Sequence, residues 1–389
     1  MRRYDVAILG LGVMGSSAAL HLAERNKSVI AFEKSPAETI EGSSRGTSRI
    51  FRQAYFEETA ETGPIYTPLL SESSRAWDDL GKRNSERSGS RQPILERVGM
   101  LHMGPEDSSV VAKTIRSSSV ALQRMNGTAL KRYPAFDVPA DWQAVLEPSA
   151  GILHADSAIR AFRTFAESAG ALFRFNVAVS AIARRRDDIV VTTTDGEFCV
   201  KHVVVTLGPW ITSDVLGPSI PLPPRPALVL TRQAVSWFRP NSADAARPDA
   251  LPIFSIDTGN DRLAYGFPDF DGEGIKVAIH HPLGRTLSSA DAKRDDWSVN
   301  DAEDVRTALG ELMPILGSAS HGDICVYTSA PGERFLIDRH PNDPGVIVVS
   351  PCSGHGFKFA PAIGRIIADI SDGGAVPDPF SFEALARLS

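Results

Sequence analysis

Two stretches near the C-terminus gather side chains that can do chemistry: Cys325-Val-Tyr327-Thr328 and Ser353-Gly354-His355-Gly356-Phe357-Lys358. They place a thiol, a lysine and a histidine where the reactive ring of a cofactor could lie. Before Lys358 a strand-like run ends, a glycine turn follows and a helix begins. The N-terminus of that helix, with its partial positive charge, would face a group that gains negative charge. Upstream, Arg45, Arg49 and Arg52 fall at i, i+4 and i+7, so they share one face if residues 43–60 are helical. On spacing alone they read as a solvated basic face. Tyr265-Gly-Phe-Pro and Gly274-Ile-Lys276-Val-Ala-Ile-His280 form a further block. A strand lysine alone reads as a surface residue, and His280 reads equally well as structural.

At the other end, Gly10-Leu-Gly12-Val-Met-Gly15 follows the apolar run Asp5 to Leu9 and precedes helical periodicity over Ser16 to Glu24. Glu33 closes a second apolar run, Ser28 to Phe32. In this context Gly10 allows a tight turn, Gly12 lets backbone amides approach a pyrophosphate, and Gly15 lets helix and strand meet closely. Glu33 can accept from a ribose diol. The fingerprint alone does not separate NAD from FAD.

Taken together, these stretches resemble the monomeric sarcosine oxidase family of covalent-flavin amine oxidases. The resemblance runs from Asp5 to the helix after Lys358 and is weak over residues 81–150 and 209–250. It implies FAD held as an 8α-S-cysteinyl thioether on Cys325. It places Gly10, Gly12, Gly15, Glu33, Lys34 and Ser44 around the cofactor, and on the ring side Arg45, Gly354, His355, Gly356 and Lys358. Family members often carry histidine near the position of Arg45, so this arginine is a departure. Arg52 and Lys358 are implied to clamp a substrate carboxylate. Arg49 matches the family's Thr/Ser-Arg-x-x-Arg segment, and Lys276 is implied to promote reaction with oxygen. His280 and Tyr327 would line the substrate cavity, and Tyr265 would close it. Local positive charge is expected to lower the Cys325 pKa and favour its thiolate.

The activity so implied is oxidation of a secondary amino acid, sarcosine or another N-methyl amino acid. A hydride equivalent passes to flavin N5, the imine is hydrolysed, and oxygen becomes hydrogen peroxide. The same chemistry on a cyclic imino acid such as proline or pipecolate, or on an amine of specialised metabolism, fits the same residues. A nicotinamide-dependent dehydrogenase would explain the fingerprint but leave Cys325 and Lys276 idle.

The elements that must position these groups imply an α/β protein. A GR2-type, Rossmann-like FAD-binding domain (residues 1–80, 145–220 and 325–389) is interleaved with a mostly antiparallel substrate domain with helices (81–144 and 221–324). Residues 81–93 are polar and predict an exposed loop. Helices are predicted over Asp156 to Ala169, capped by Asp156 or Ser157, and over Asp301 to Leu316. Strands are predicted at Val98 to Met103, Val177 to Ile182, Ile189 to Thr194, Phe198 to Thr206, Ala234 to Phe238, Ile253 to Ile256, Leu263 to Phe267, Ile275 to His280 and Gly345 to Ser350. The Pro-rich residues 218–228 are expected to cross between domains.

The bulk numbers exclude other classes. A net charge of −6 over 389 residues argues against nonspecific nucleic-acid binding, and Arg184-Arg-Arg186 sits beside two aspartates. Three cysteines, Cys199, Cys325 and Cys352, give no disulfide framework and no metal-ligand spacing. No apolar run approaches the roughly 20 residues of a membrane span. The cytoplasmic address follows by elimination, and the resemblance adds the expectation of a monomeric enzyme acting on a small amino acid and O₂.

Overall fold

The structure is a computed structural model that describes residues 2–55, 65–212, 221–223, 226–259, 262–280, 285–292 and 296–388. Its first sheet is built from eight strands with a parallel centre. The Arg3–Leu9 strand lies between Val29–Phe32 and Gly196–Val205, parallel to both, and Asp343–Ser350 pairs parallel with Val203–Val205 on the far side of that strand. Alternation along Arg3–Leu9 buries both faces: Val6 and Ile8 enter one core, Ala7 and Leu9 the other. Helices Val13–Glu24, Ala155–Ser168 and Ala360–Ser371 cover the first of these faces.

Among the described residues the second sheet has nine strands and is antiparallel except where Ile253–Asp257 runs parallel to Met100–Gly104. Its registers position the chemistry. Leu316–Ser329 pairs along Val229–Pro240, with Cys325 opposite Gln233 and Tyr327 opposite Thr231. Ile275–His280 lies between Val229–Pro240 and Leu263–Phe267, so Lys276 has Trp237 on one side and Phe267 on the other. A three-stranded sheet carries Ser48 and Arg49 opposite His154 and Leu153. Among the described residues, no helix is long and apolar enough to cross a membrane.

Several expectations are corrected. Residues 43–55 are not helical: Gly42–Ser44 is a single 3-10 turn and Ser48–Phe51 is a strand, while residues 56–60 lie outside the described residues. Gly46, at φ +98°, breaks any helix between Arg45 and Arg49, so the shared helical face does not exist. Residues 81–88 are the polar end of the Tyr66–Ser88 helix, whose buried stripe (Leu69, Leu70, Ser73, Trp77, Leu80) lies earlier; Gly89, at φ +70°, ends it. The Ala155–Ser168 helix has His154 as its N-cap, not Asp156 or Ser157. The helix expected over 301–316 is Val299–Leu309, and Leu316 already begins a strand. Of the proposed crossing, residues 218–220, 224 and 225 lie outside the described residues.

A buried charge cluster fixes the Val299–Leu309 helix to the second sheet. Asp301, with a side chain 2% exposed, accepts from Arg232 at 2.8 Å and from Arg285, and completes a capping box with Ser298. Burial alone would raise its pKa, but the hydrogen bonds from Arg232, Ser298 and Arg285 hold it below the usual carboxylate range. Its contribution is therefore complete above the unfolded aspartate pKa and is lost only as pH falls through the lower folded value. Asp301→Ala leaves two arginines facing each other and should lower unfolding free energy by about 3 kcal/mol. Denaturant unfolding at neutral pH checks this; a change below about 0.5 kcal/mol, the surface-substitution scale, would remove the cluster from any stabilising role.

Candidate active site

Every residue that the sequence assigned to the cofactor or the substrate, except Gly15, lines one cleft between the two sheets. Gly15 acts by packing: a Cβ there would lie 2.0 Å from the Gly10 carbonyl oxygen. Gly10 turns at φ +92°, and a Cβ on it would meet the Thr206 carbonyl at 2.7 Å. The Val13–Glu24 helix starts at Gly12, which has no side chain to cap it, and its first residues Val13 and Met14 line the cleft. Glu33 accepts from Leu11 N at 2.9 Å and from Ser35 N at 3.1 Å. Ser44 Oγ accepts from Val13 N at 3.2 Å. Lys34 Nζ stands 3.6 Å from the Trp210 ring centre, and the Trp210 indole donates to Asp291.

The opposite end is cationic. Lys276 is 7% exposed, with Nζ 3.2 Å from Ser48 Oγ and 5.1 and 5.3 Å from the Trp237 and Phe267 ring centres. Burial first, then the neighbouring Arg49 charge, lower its pKa to about 8. Arg49 donates to the carbonyls of Ser48, Ser43 and Arg45, which fixes its guanidinium 5.5 Å from the Phe357 ring centre. Arg45 turns outward to an ion pair with Asp323 at 3.3 Å.

Cys325 differs from expectation in one respect. Burial pushes its thiol pKa up, and although Arg49 and Lys276 pull it down, the net direction is upward. Cationic neighbours were foreseen; the larger cost of taking a thiolate out of water was not. Cys352 lines the same cleft, and its sulfur accepts from Thr328 N at 3.5 Å. Cys199 is buried in the first sheet and does not line the cleft.

Tyr265 and Tyr327 hydrogen-bond each other, and burial raises both phenols, Tyr265 to about 12. His280 lies beside both, with ring centres 6.3 and 6.0 Å away. The Gly354–Lys358 turn is tight: Gly354 has φ +76° with its α-carbon against the Tyr327 ring, and a Cβ on Gly356 would fall 1.5 Å from the Pro351 carbonyl. The imidazole of His355 is committed inside the protein, between Tyr55 Oη at 2.5 Å and the Glu333 carbonyl at 2.8 Å. It therefore orients this turn. Arg52 and Lys358 are both buried, at 6% and 5% exposure.

This donor set fits FAD. A glycine turn, a helix start and an acid suit a pyrophosphate and ribose, and the buried cations at the far end suit a ring that gains negative charge. A family model described as FAD dependent oxidoreductase matches residues 5–370. The chain belongs to this family. This FAD-dependent oxidoreductase is 30% identical over 391 residues, 99% of each chain, to an N-methyl-L-tryptophan oxidase of Yersinia pestis (strain Pestoides F). An oxidase of the same name from Yersinia pseudotuberculosis serotype O:1b (strain IP 31758) matches equally. Among solved structures, the open form of NikD, an unusual amino acid oxidase essential for nikkomycin biosynthesis, has a TM-score of 0.80 at 22% identity over 98% of both chains. Glycine oxidase from Geobacillus kaustophilus has a TM-score of 0.77 at 20% identity, covering 98% of this chain and 99% of its own. The expected mixed α/β fold of an FAD-dependent oxidase is borne out.

Sequence reasoning missed Ser48, Trp237, Phe267, Trp210 and Tyr55. Ser48 was within reach, because it opens the same Ser-Arg-x-x-Arg segment that supplied Arg49 and Arg52. Phe267 lies inside the Tyr265-Gly-Phe-Pro block, which carried no role for it, whereas Trp237 and Trp210 are distant in sequence from the lysines they flank and nothing local marks them.

Proposed function

We propose that this chain oxidises a secondary amino acid of the N-methyl type, with FAD attached through Cys325 and oxygen as the acceptor. The observation that carries the reading is a pair of buried cations, Arg52 and Lys358, in the same cleft as Cys325 and Lys276. Full-length relatives that are N-methyl-L-tryptophan oxidases support it. Residues 1–80, 145–220 and 325–389 serve the cofactor, and 81–144 and 221–324 the substrate.

Gly10, Gly12 and the first amides of the Val13–Glu24 helix hold the pyrophosphate, Glu33 the ribose, with Lys34 and Ser44 beside them. Cys325 supplies the attachment atom, and the Gly354–Lys358 turn frames the ring. When bound, FAD accepts the hydrogen and electron pair from the C–H bond next to the amine and passes the electrons to oxygen, giving hydrogen peroxide. Arg52 offers a directional fork to the substrate carboxylate and Lys358 a point charge. Fixing the carboxylate fixes the reacting carbon, and such orientation supplies much of a rate enhancement. The surrounding cations disfavour an ammonium, so the amine enters neutral. Tyr265 and Tyr327 stay protonated and offer uncharged donors, with His280 alongside. Lys276 faces the negative charge that oxygen gains.

Anaerobic mixing with sarcosine, N-methyl-L-tryptophan and L-proline tests the reading. Bleaching of the visible flavin band by an N-methyl amino acid is expected, with peroxide appearing when air is admitted. Bleaching by proline alone would move the substrate to the cyclic imino acids. A yellow protein that no secondary amine bleaches would end the reading.

A further inference from the structure

We propose that Tyr55 is the positioning residue of the carboxylate clamp, its ring the shared seat on which Arg52 and Lys358 are held as a pair. The proposal rests on the reading that these two cations hold the substrate carboxylate. The Tyr55 side chain is wholly buried. The Arg52 guanidinium carbon lies 4.9 Å from its ring centre and Lys358 Nζ lies 5.4 Å from it. Two cations taken out of water to one ring repel each other with little screening. The negative face of an aromatic ring attracts each of them, so a single ring offsets both charges before an anion arrives.

The ring is itself fixed. Tyr55 Oη lies 2.5 Å from His355 Nδ1, and His355 Nε2 lies 2.8 Å from the Glu333 carbonyl oxygen. A carbonyl only accepts, so Nε2 carries the proton, Nδ1 accepts, and the phenol donates. Phe359 meets the Tyr55 ring edge-on at 5.5 Å and Tyr66 at a tilt at 5.1 Å. The backbone beside it is pinned by Glu147, a fully buried carboxylate that accepts from Gln53 N at 2.8 Å and Ala54 N at 3.0 Å. Arg52 donates to the Ala54 carbonyl at 2.8 Å, and Lys358 Nζ to the His355 carbonyl at 2.6 Å. The phenol–imidazole bond thus ties the segment carrying Arg52 to the turn carrying Lys358, although some 300 residues separate them. A carboxylate meets a pair already assembled, which spares the cost of ordering two long side chains on binding.

The test uses the flavin-loaded enzyme and reads acetate binding from the visible flavin spectrum, together with KM and kcat for an N-methyl amino acid. Pentafluorophenylalanine installed at position 55 is compared with Tyr55→Phe, since fluorination reverses the ring's charge distribution at almost constant shape. The fluorinated protein should bind acetate about tenfold more weakly and show a KM about tenfold higher, with kcat changing less. If Tyr55→Phe does not fold, 2-fluorotyrosine at position 55, whose phenol stays protonated, is compared with the unaltered protein and should weaken acetate binding in the same direction by a smaller factor. Lys358→Met is the control. Weaker acetate binding in Lys358→Met with equal affinities in the two ring proteins overturns the shared seat and leaves the clamp standing. Acetate binding untouched by Lys358→Met overturns the clamp reading and the proposal with it.

Discussion

Lys276→Met should slow reoxidation of the reduced enzyme by oxygen about 10²–10³-fold, the scale of losing one preorganised charge in a dry site. Reduction by the amine should change by less than about threefold, because on the proposed reading the ammonium meets only the charge that oxygen acquires. The side chain is set for that task. Its strand neighbours Trp237 and Phe267 place a ring on either side, and Ser48 Oγ accepts at 3.2 Å. Two rings attract the cation while keeping water out, and methionine preserves the volume while removing the charge. The pH dependence has a definite sign. Burial and Arg49 lower the lysine to about 8, so the ammonium predominates below that value and the neutral amine above it. Reoxidation should therefore be fastest below about pH 8 and decline as pH rises through it, and the methionine variant should lack that limb. Stopped-flow mixing of amine-reduced enzyme with oxygenated buffer measures both. Equal losses in the two half-reactions, or a rate that climbs through this pH, would remove the cation from the oxygen step.

The parts of this site that were legible in the sequence are those whose chemistry is local. Gly10, Gly12 and Gly15 announce a turn because three glycines at that spacing between a strand and a helix serve close backbone approaches, and in the structure a Cβ added at Gly15 or Gly10 would fall 2.0 or 2.7 Å from a backbone oxygen. The turn before Lys358 was visible for the same reason. What failed was periodicity read without its context. Arg45, Arg49 and Arg52 have helical spacing, yet Gly46 and the apolar Ile50-Phe51 pair favour an extended segment that pairs with Gly151–His154. Residues 81–88 look like loop because the apolar stripe that makes them helical lies one to three turns earlier. What was invisible was register. Trp237 and Lys276 become neighbours only because two antiparallel strands align at that one offset, and a shift of a single residue would turn the indole to the other face of the sheet. The Tyr55–His355 bond is likewise a product of tertiary structure, linking residues whose local sequences carry no sign of each other.

Cys325→Ala should move all yellow colour from the pellet to the supernatant on acid precipitation, while the unaltered protein keeps its colour in the pellet. The reasoning turns on how a buried thiol becomes reactive. Only the thiolate attacks, and burial opposes its formation here. Arg49 and Lys276 are the two charges that act against that cost. If they activate the sulfur, Arg49→Met should leave Cys325 in place yet slow attachment, so that freshly reconstituted protein holds a mixture of bound and free flavin that shifts toward bound with time. Full and immediate attachment in Arg49→Met would mean that the sulfur needs no help from that guanidinium. The neighbouring thiol supplies the competing outcome. Cys352 lines the same cleft, so colour that stays in the pellet after Cys325→Ala points to Cys352, and Cys352→Ala would then release it. Cys199 offers no such route, because it faces the interior of the first sheet away from the cleft. The two substitutions together decide which sulfur the Arg49 and Lys276 charges serve, and they do so without requiring that the variants still turn over substrate.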